Sequence, residues 1–151
     1  MILIDSNALI VLLIGLIDPK LFKTHKTTSI YDEEDFRELL HVIGDFNNII
    51  VLPNIWTEVD NLLNNFGGNY KYSYIQKITE IIKNTSEKYI DSKTGTECES
   101  FFDIGLTDSL VLEQAKSCKL LITSDSKLSD YAIANDIKVY DLVKVKNEKL
   151  N

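Results

Sequence analysis

Short apolar runs alternate along this chain with amphipathic stretches of helical period. Met1 to Ile4 is an apolar run that stops abruptly at Asp5-Ser6-Asn7, the pattern of a buried strand delivering a polar tip to a helix start. Serine or asparagine there can cap the helix. That helix is expected from about Ala8 to Leu16, and being apolar nearly all round it belongs to the core. Asp18 to Tyr31 is mixed, with Pro19 and several threonines, and reads as a loop with at most one helical turn. From Asp32 to about Gly44, Phe36, Leu39, Leu40 and Ile43 recur at helical spacing while Glu33, Glu34, Arg37 and Glu38 face outward.

Ile49 to Leu52 reads as a second buried strand, stopped by Pro53. Ile55, Val59, Leu62, Leu63 and Phe66 then form one helical stripe that Gly67-Gly68 ends. Asp60 is the outward, solvated acid of that helix. A further helix, about Tyr72 to Lys83, turns Ile75, Ile78, Ile81 and Ile82 inward, and Lys88 to Asp91 is read as a short third strand. Ser92 to Asp103 is loop-like. The helix after Gly105 places Leu106, Leu110 and Ala115 toward the core. Leu120 to Thr123 is a buried strand ending at Ser124-Asp125, followed by a helix near Leu128 to Asn135 and a strand near Ile137 to Tyr140. Strands alternating with helices imply one domain, residues 1–151, with a parallel sheet covered on both faces.

The totals narrow the function. The 151 residues are the usual size of one domain, and 44% hydrophobic with 26% charged residues is an ordinary globular composition. Sixteen basic against twenty-three acidic side chains, a net −7, argue against coating nucleic acid through a broad basic surface. An enzyme that gathers acids around cations in a cleft remains compatible with that charge. Cys98 and Cys118 lie in no zinc or redox motif and read as reduced thiols of a cytoplasmic protein. The apolar run Ala8 to Ile17 is about half the length a bilayer span needs, and no basic segment precedes it.

Ligands of a parallel sheet bind at the carboxyl ends of its strands. Asp5 and Asp125 stand at that edge, immediately after apolar runs. Glu58 borders the apolar stripe of the helix leaving the second strand, and Asp108 lies in the first turn after Gly105. Each has a bland explanation alone: turn capping for Asp5 and Asp125, an exposed rim for Glu58, helix-terminus charge for Asp108. Together they would repel. Two carboxylates about 4 Å apart cost on the order of 4 kcal/mol at an effective dielectric near 20, so a hard divalent cation such as Mg²⁺ or Mn²⁺ would convert the cluster into a binding site. His25 and His41, the two histidines, belong to no nucleophile motif, and Gly67-Gly68 lacks the partners of a phosphate loop. A phosphoacceptor domain fits less well, because no adjacent acid pair ends the first strand.

Four fragments, Ile2-Leu3-Ile4-Asp5-Ser6-Asn7, Thr57-Glu58-Val59, Gly105-Leu106-Thr107-Asp108-Ser109 and Leu121-Ile122-Thr123-Ser124-Asp125, resemble in order and spacing the PIN domain family. These are metal-dependent nucleases that include the toxin ribonucleases of bacterial VapC-type toxin–antitoxin pairs. The resemblance implies a three-layer α/β/α sandwich, an acidic quartet of Asp5, Glu58, Asp108 and Asp125 holding Mg²⁺ or Mn²⁺, and Asn7 and Thr123 as supporting polar groups. Asp5, Asp108 and Asp125 would be ligands, and Glu58 would bind a second metal or orient the attacking water. It further implies RNA as substrate, an antitoxin protein as a partner of a toxin, and pairing of two copies through helices. Many members carry a further acid two residues after the last, followed by an aromatic; this chain has Lys127 and Leu128 there. A PIN-like binding or scaffold module without activity is the alternative. Lys20, Lys23, Lys26, Lys93 and Lys127 are candidate substrate contacts, with Tyr70, Tyr72 and Tyr74 as stacking faces.

Overall fold

Three of the five strands are the apolar runs themselves. A computed structural model describes residues 1–65 and 68–151. Strands β1 (Ile2–Ile4), β2 (Ile49–Val51), β3 (Ser86–Glu87), β4 (Leu120–Thr123) and β5 (Val139–Asp141) form one sheet in the order β3-β2-β1-β4-β5, parallel at every pairing. β1 and β2 are buried throughout and β4 almost so, as expected of strands covered on both faces.

Helices supply the covers. α1 (Ser6–Ile17) packs against α2 (Glu33–Ile43), α3 (Pro53–Leu63) and α4 (Lys71–Asn84). α6 (Phe101–Ala115) packs against α5 (Ser92–Thr96) and α7 (Ser126–Ala134), and both α6 and α7 touch the sheet. The result is the three-layer α/β/α sandwich with a central parallel sheet. The order runs leftward from β1 to β2 and β3, then rightward to β4 and β5. The direction of winding therefore reverses between β1 and β4, where parallel sheets open a crevice at their carboxyl edge. Among the described residues no helix is long and apolar enough to cross a membrane.

Several boundaries and faces differ from the sequence expectations. α1 starts at Ser6, two residues early, because Asp5 is its N-cap and accepts from the Ala8 amide at 3.1 Å. The stretch after Asp18 contains a six-residue 3-10 helix, Pro19–Thr24, that buries Leu21 and Phe22. On α3, Leu62 is 46% exposed, and Asp60, expected to be solvated, is half-buried and accepts from the Tyr74 hydroxyl at 2.6 Å. The Phe66 end of that stripe and Gly67 lie outside the described residues. α4 buries Tyr74, Ile78 and Ile81. Ile75 and Ile82 sit one residue off that i, i+4, i+7 stripe and are exposed.

β3 lies two residues before the expected Lys88 start, with both of its residues exposed. The segment expected to be a loop holds α5 and the first turn of α6. Leu106, expected in the core, is exposed, while Leu110 and Ala115 are buried. α7 starts at Ser126, earlier than the expected Leu128, because Asp125 caps it through the Leu128 amide. Beyond β5 a last helix, α8 (Leu142–Lys149), reaches back to α2. There Lys146 and Lys149 contact buried Asp35 at 2.8 and 3.0 Å.

Candidate functional site

Asp5 and Asp125 stand just beyond strand ends and cap helices, Asp108 stands where α6 restarts, and Glu58 lies inside a helix. Asp5 follows β1 and caps α1. Asp125 follows β4 by two residues and caps α7. Both helices thereby turn their positive ends toward the crevice, which favours carboxylates. Glu58 is in the second turn of α3. Asp108 is in the first turn after Gly105, whose φ of 80° and ψ of −176° interrupt α6 and let the chain restart there.

Register explains how β1 meets β4. Ile4 pairs with Ile122, and the Asp5 amide continues the ladder by donating to the Ile122 carbonyl at 3.1 Å. One residue further, Asp5 comes level with buried Thr123. The Thr123 hydroxyl donates to Asp5 Oδ2 and accepts from the Asp125 amide at 3.0 Å. Thr123 thus ties the two aspartates together. Asn7 is half-buried on the first turn of α1 and makes no hydrogen bond to the four acids among the described residues.

The acids influence one another electrostatically. Burial, above all, pushes the Asp5 carboxyl up to about 7, and the Asp108 and Asp125 charges push the same way against the hydrogen bonds from Thr123 and Ala8. Asp108 is pushed up to about 6 by burial, then by Asp125 and Glu58. Each of the four therefore lies within electrostatic range of at least one other. Among the described residues none of them forms a salt bridge with lysine or arginine.

The carboxylates are nonetheless not gathered into a finished cage: among the described residues no three acid, imidazole or thiol groups meet metal-ligand spacing. Three of the four acids turn instead toward a neutral donor. Asp5 takes Thr123 and Ala8, Asp125 takes the Leu128 amide at 3.0 Å, and Glu58 Oε1 takes the Ser6 hydroxyl at 2.8 Å. An all-oxygen anionic set, two of whose members carry charge at a penalty, fits a hard divalent cation that retains several waters.

Sequence reasoning missed three neighbours of these acids. Ser6 was read only as a capping residue, yet it anchors Glu58 across 52 positions. Tyr31, expected in a loop, is buried beside Ser124. Its hydroxyl is pushed up to about 12 by burial and by Asp141, Asp35 and Asp5. Asn54 lies one helical turn before Glu58, and its Nδ2 is buried without a hydrogen-bond partner among the described residues. Polar residues at i and i+4 near the start of α3 were the available signal. Of the tyrosines named as stacking faces, Tyr74 is fully buried, and Tyr70 and Tyr72 belong to α4 and the turn before it. Lys23 is tied to the Ser29 carbonyl at 3.0 Å and Lys127 to Asp103 at 2.8 Å.

No family model matches the chain, and no curated protein matches it. It is similar to one solved structure, described as a domain of a functionally unknown protein from Methanocaldococcus jannaschii DSM 2661. That likeness is 19% identical, covers 93% of this chain and 89% of the other, and has a TM-score of 0.46. It names no activity.

Proposed function

We propose that the protein is a metal-dependent endoribonuclease of the PIN type, cutting RNA phosphodiester bonds by hydrolysis at the crevice between β1 and β4. The observation that carries the reading is Asp5: a carboxylate in the core, pushed up to about 7, within electrostatic range of Asp108 and Asp125 and in no salt bridge among the described residues. A charge left in that condition is costly. Mg²⁺ or Mn²⁺ held by Asp5, Asp108 and Asp125, with Glu58 beside them, would relieve it. Bound there, such an ion supplies charge neutralisation at the phosphate and lowers the pKa of a coordinated water.

The chain's own groups do the rest. Thr123 donates to the Asp5 carboxylate and couples it to the Asp125 backbone. Ser6 occupies Glu58 Oε1, which leaves Oε2 to accept a proton from an attacking water. The capped N-termini of α1 and α7 add positive potential where the phosphate charge grows. In this reading the protein works in the cytoplasm, and as a toxin it would be restrained by an antitoxin protein.

A second reading, a PIN-like scaffold without activity, draws on the net charge of −7 and on Lys127, which is turned to Asp103 at the crevice lip. Labelled single-stranded RNA with millimolar Mn²⁺ separates the two. The parent is expected to cleave, and Asp108→Asn and Glu58→Gln to lose 100-fold or more, the order seen when a charge-stabilising group is removed. A Mn²⁺-dependent rise in melting temperature without cleavage would select the scaffold; neither effect would remove the metal altogether.

A further inference from the structure

Phe102 is wholly exposed, the largest exposure of any described apolar side chain. Its backbone is nevertheless well anchored. The Asp103 and Ile104 amides both donate to the Ser100 carbonyl, at 3.0 and 2.9 Å, and Ser100 is buried with its hydroxyl 2.9 Å from that of Ser109. The Asp103 carboxylate takes Lys127 Nζ on one oxygen and the Tyr131 hydroxyl on the other, each at 2.8 Å. This clasp fixes the Phe101–Ile104 turn over the start of α7. Lys127 is two residues from Asp125 and feels its charge. Three residues beyond Phe102, Gly105 breaks the helix and opens the segment that carries Asp108. The turn is therefore joined to two acids of the quartet, through Lys127 on one side and along the chain on the other.

We infer that Phe102 is a stacking platform for an unpaired base of the RNA whose phosphate enters the acid crevice, an inference that rests on the nuclease reading above. A bare phenyl face on a fixed turn loses little conformational freedom when a base settles on it, and stacking tolerates any base. Of the tyrosines considered as stacking faces, Tyr74 is buried, Tyr70 precedes α4 and Tyr72 lies within it, in the layer opposite α6. The substrate class follows as single-stranded RNA, because a paired base offers no free face.

The test uses the full chain, millimolar Mn²⁺ and labelled single-stranded RNA, with kcat and KM measured separately for the parent, Phe102→Ala and Phe102→Trp. Phe102→Ala is expected to raise KM about ten-fold, the order for loss of one base–aromatic stack, with kcat little changed and Phe102→Trp close to the parent. An abasic site walked along the RNA should reproduce the KM loss at one position in the parent, and add nothing there in Phe102→Ala. Melting curves should be unchanged, since the ring is wholly in solvent. Equal KM for parent and Phe102→Ala, with cleavage intact, overturns the inference and leaves the nuclease reading standing. A parent that neither binds nor cuts RNA removes both. Unchanged RNA kinetics with loss of an inhibitory protein's grip would assign the ring to protein docking, and that also overturns the inference.

Discussion

Replacing Asp5 with asparagine should make the metal-free protein more stable at neutral and alkaline pH. The carboxyl rises from 3.8 to about 7 on folding, and at 1.36 kcal/mol per pKa unit this represents about 4 kcal/mol against the ionised form. Because the folded pKa is the higher one, the folded state binds the extra proton between about pH 4 and pH 7. Stability from this group is therefore greatest at the acid end of that window and falls as pH rises through 7. Asparagine keeps an acceptor for the Ala8 amide, but it turns an NH₂ toward the Thr123 oxygen and leaves that hydroxyl proton without its acceptor, a loss of about 1 kcal/mol. The net expectation at pH 8 is about 3 kcal/mol of stabilisation, or roughly 6–12 °C in midpoint for a domain of this length. The measurement is a melting curve in EDTA at pH 8 and again at pH 4.5, where the advantage should vanish. Millimolar Mn²⁺ should then raise the parent and leave Asp5→Asn nearly unmoved. Equal or lower melting of the variant at pH 8 would refute the claim that a buried, uncompensated charge sits at the end of β1.

Three further changes probe the frame around the crevice. Gly105→Ala forces a side chain onto a φ of 80° with ψ near 180°, a region that is essentially glycine's, so urea unfolding should show a loss of about 1–3 kcal/mol and the Mn²⁺ response should shrink as Asp108 shifts; an unchanged midpoint would mean the break is dispensable. Gly15→Ala drives its Cβ into the Phe36 ring, and overpacking of about 1–3 kcal/mol should outweigh a helix-propensity gain of about 1 kcal/mol; a more stable variant would show that α2 yields freely. Asp35→Ala removes the capping-box acid of α2 together with the anchor of Lys146 and Lys149, and should cost about 2 kcal/mol in chemical denaturation without altering RNA cleavage.

The central architecture was legible where hydrophobicity and chain punctuation agree. β1, β2 and β4 are apolar runs ending in Asp5, Pro53 and Asp125, and two of those end residues proved to be helix caps at the site. β3 was misplaced because Ser86 and Glu87 carry no apolar signal and pair through backbone alone. α8 went unseen since only Leu142 of it is buried and its anchoring is ionic. Ile75, Ile82, Leu62 and Leu106 were assigned inward because a helix stripe read from composition is wider than the strip a neighbour covers. At the site, Asp5, Asp108 and Asp125 could be named because each follows a strand end or a glycine, and Glu58 because it borders the apolar stripe of α3. Ser6 and Tyr31 could not be, because their neighbours Glu58 and Ser124 are remote in sequence and only tertiary packing brings them together.

The two-residue β3 bears on how copies of the chain behave together. A sheet ending in a long apolar strand offers passing chains a row of open amides and carbonyls to pair with. Here that flank offers only Ser86 and Glu87, both in water, with Lys88 already spending its amide on the Val51 carbonyl at 3.2 Å. Little backbone is left on that side for a visiting strand, and the neighbouring charges of Glu87 and Lys88 discourage one from settling, so growth of ordered aggregates has no ready template there.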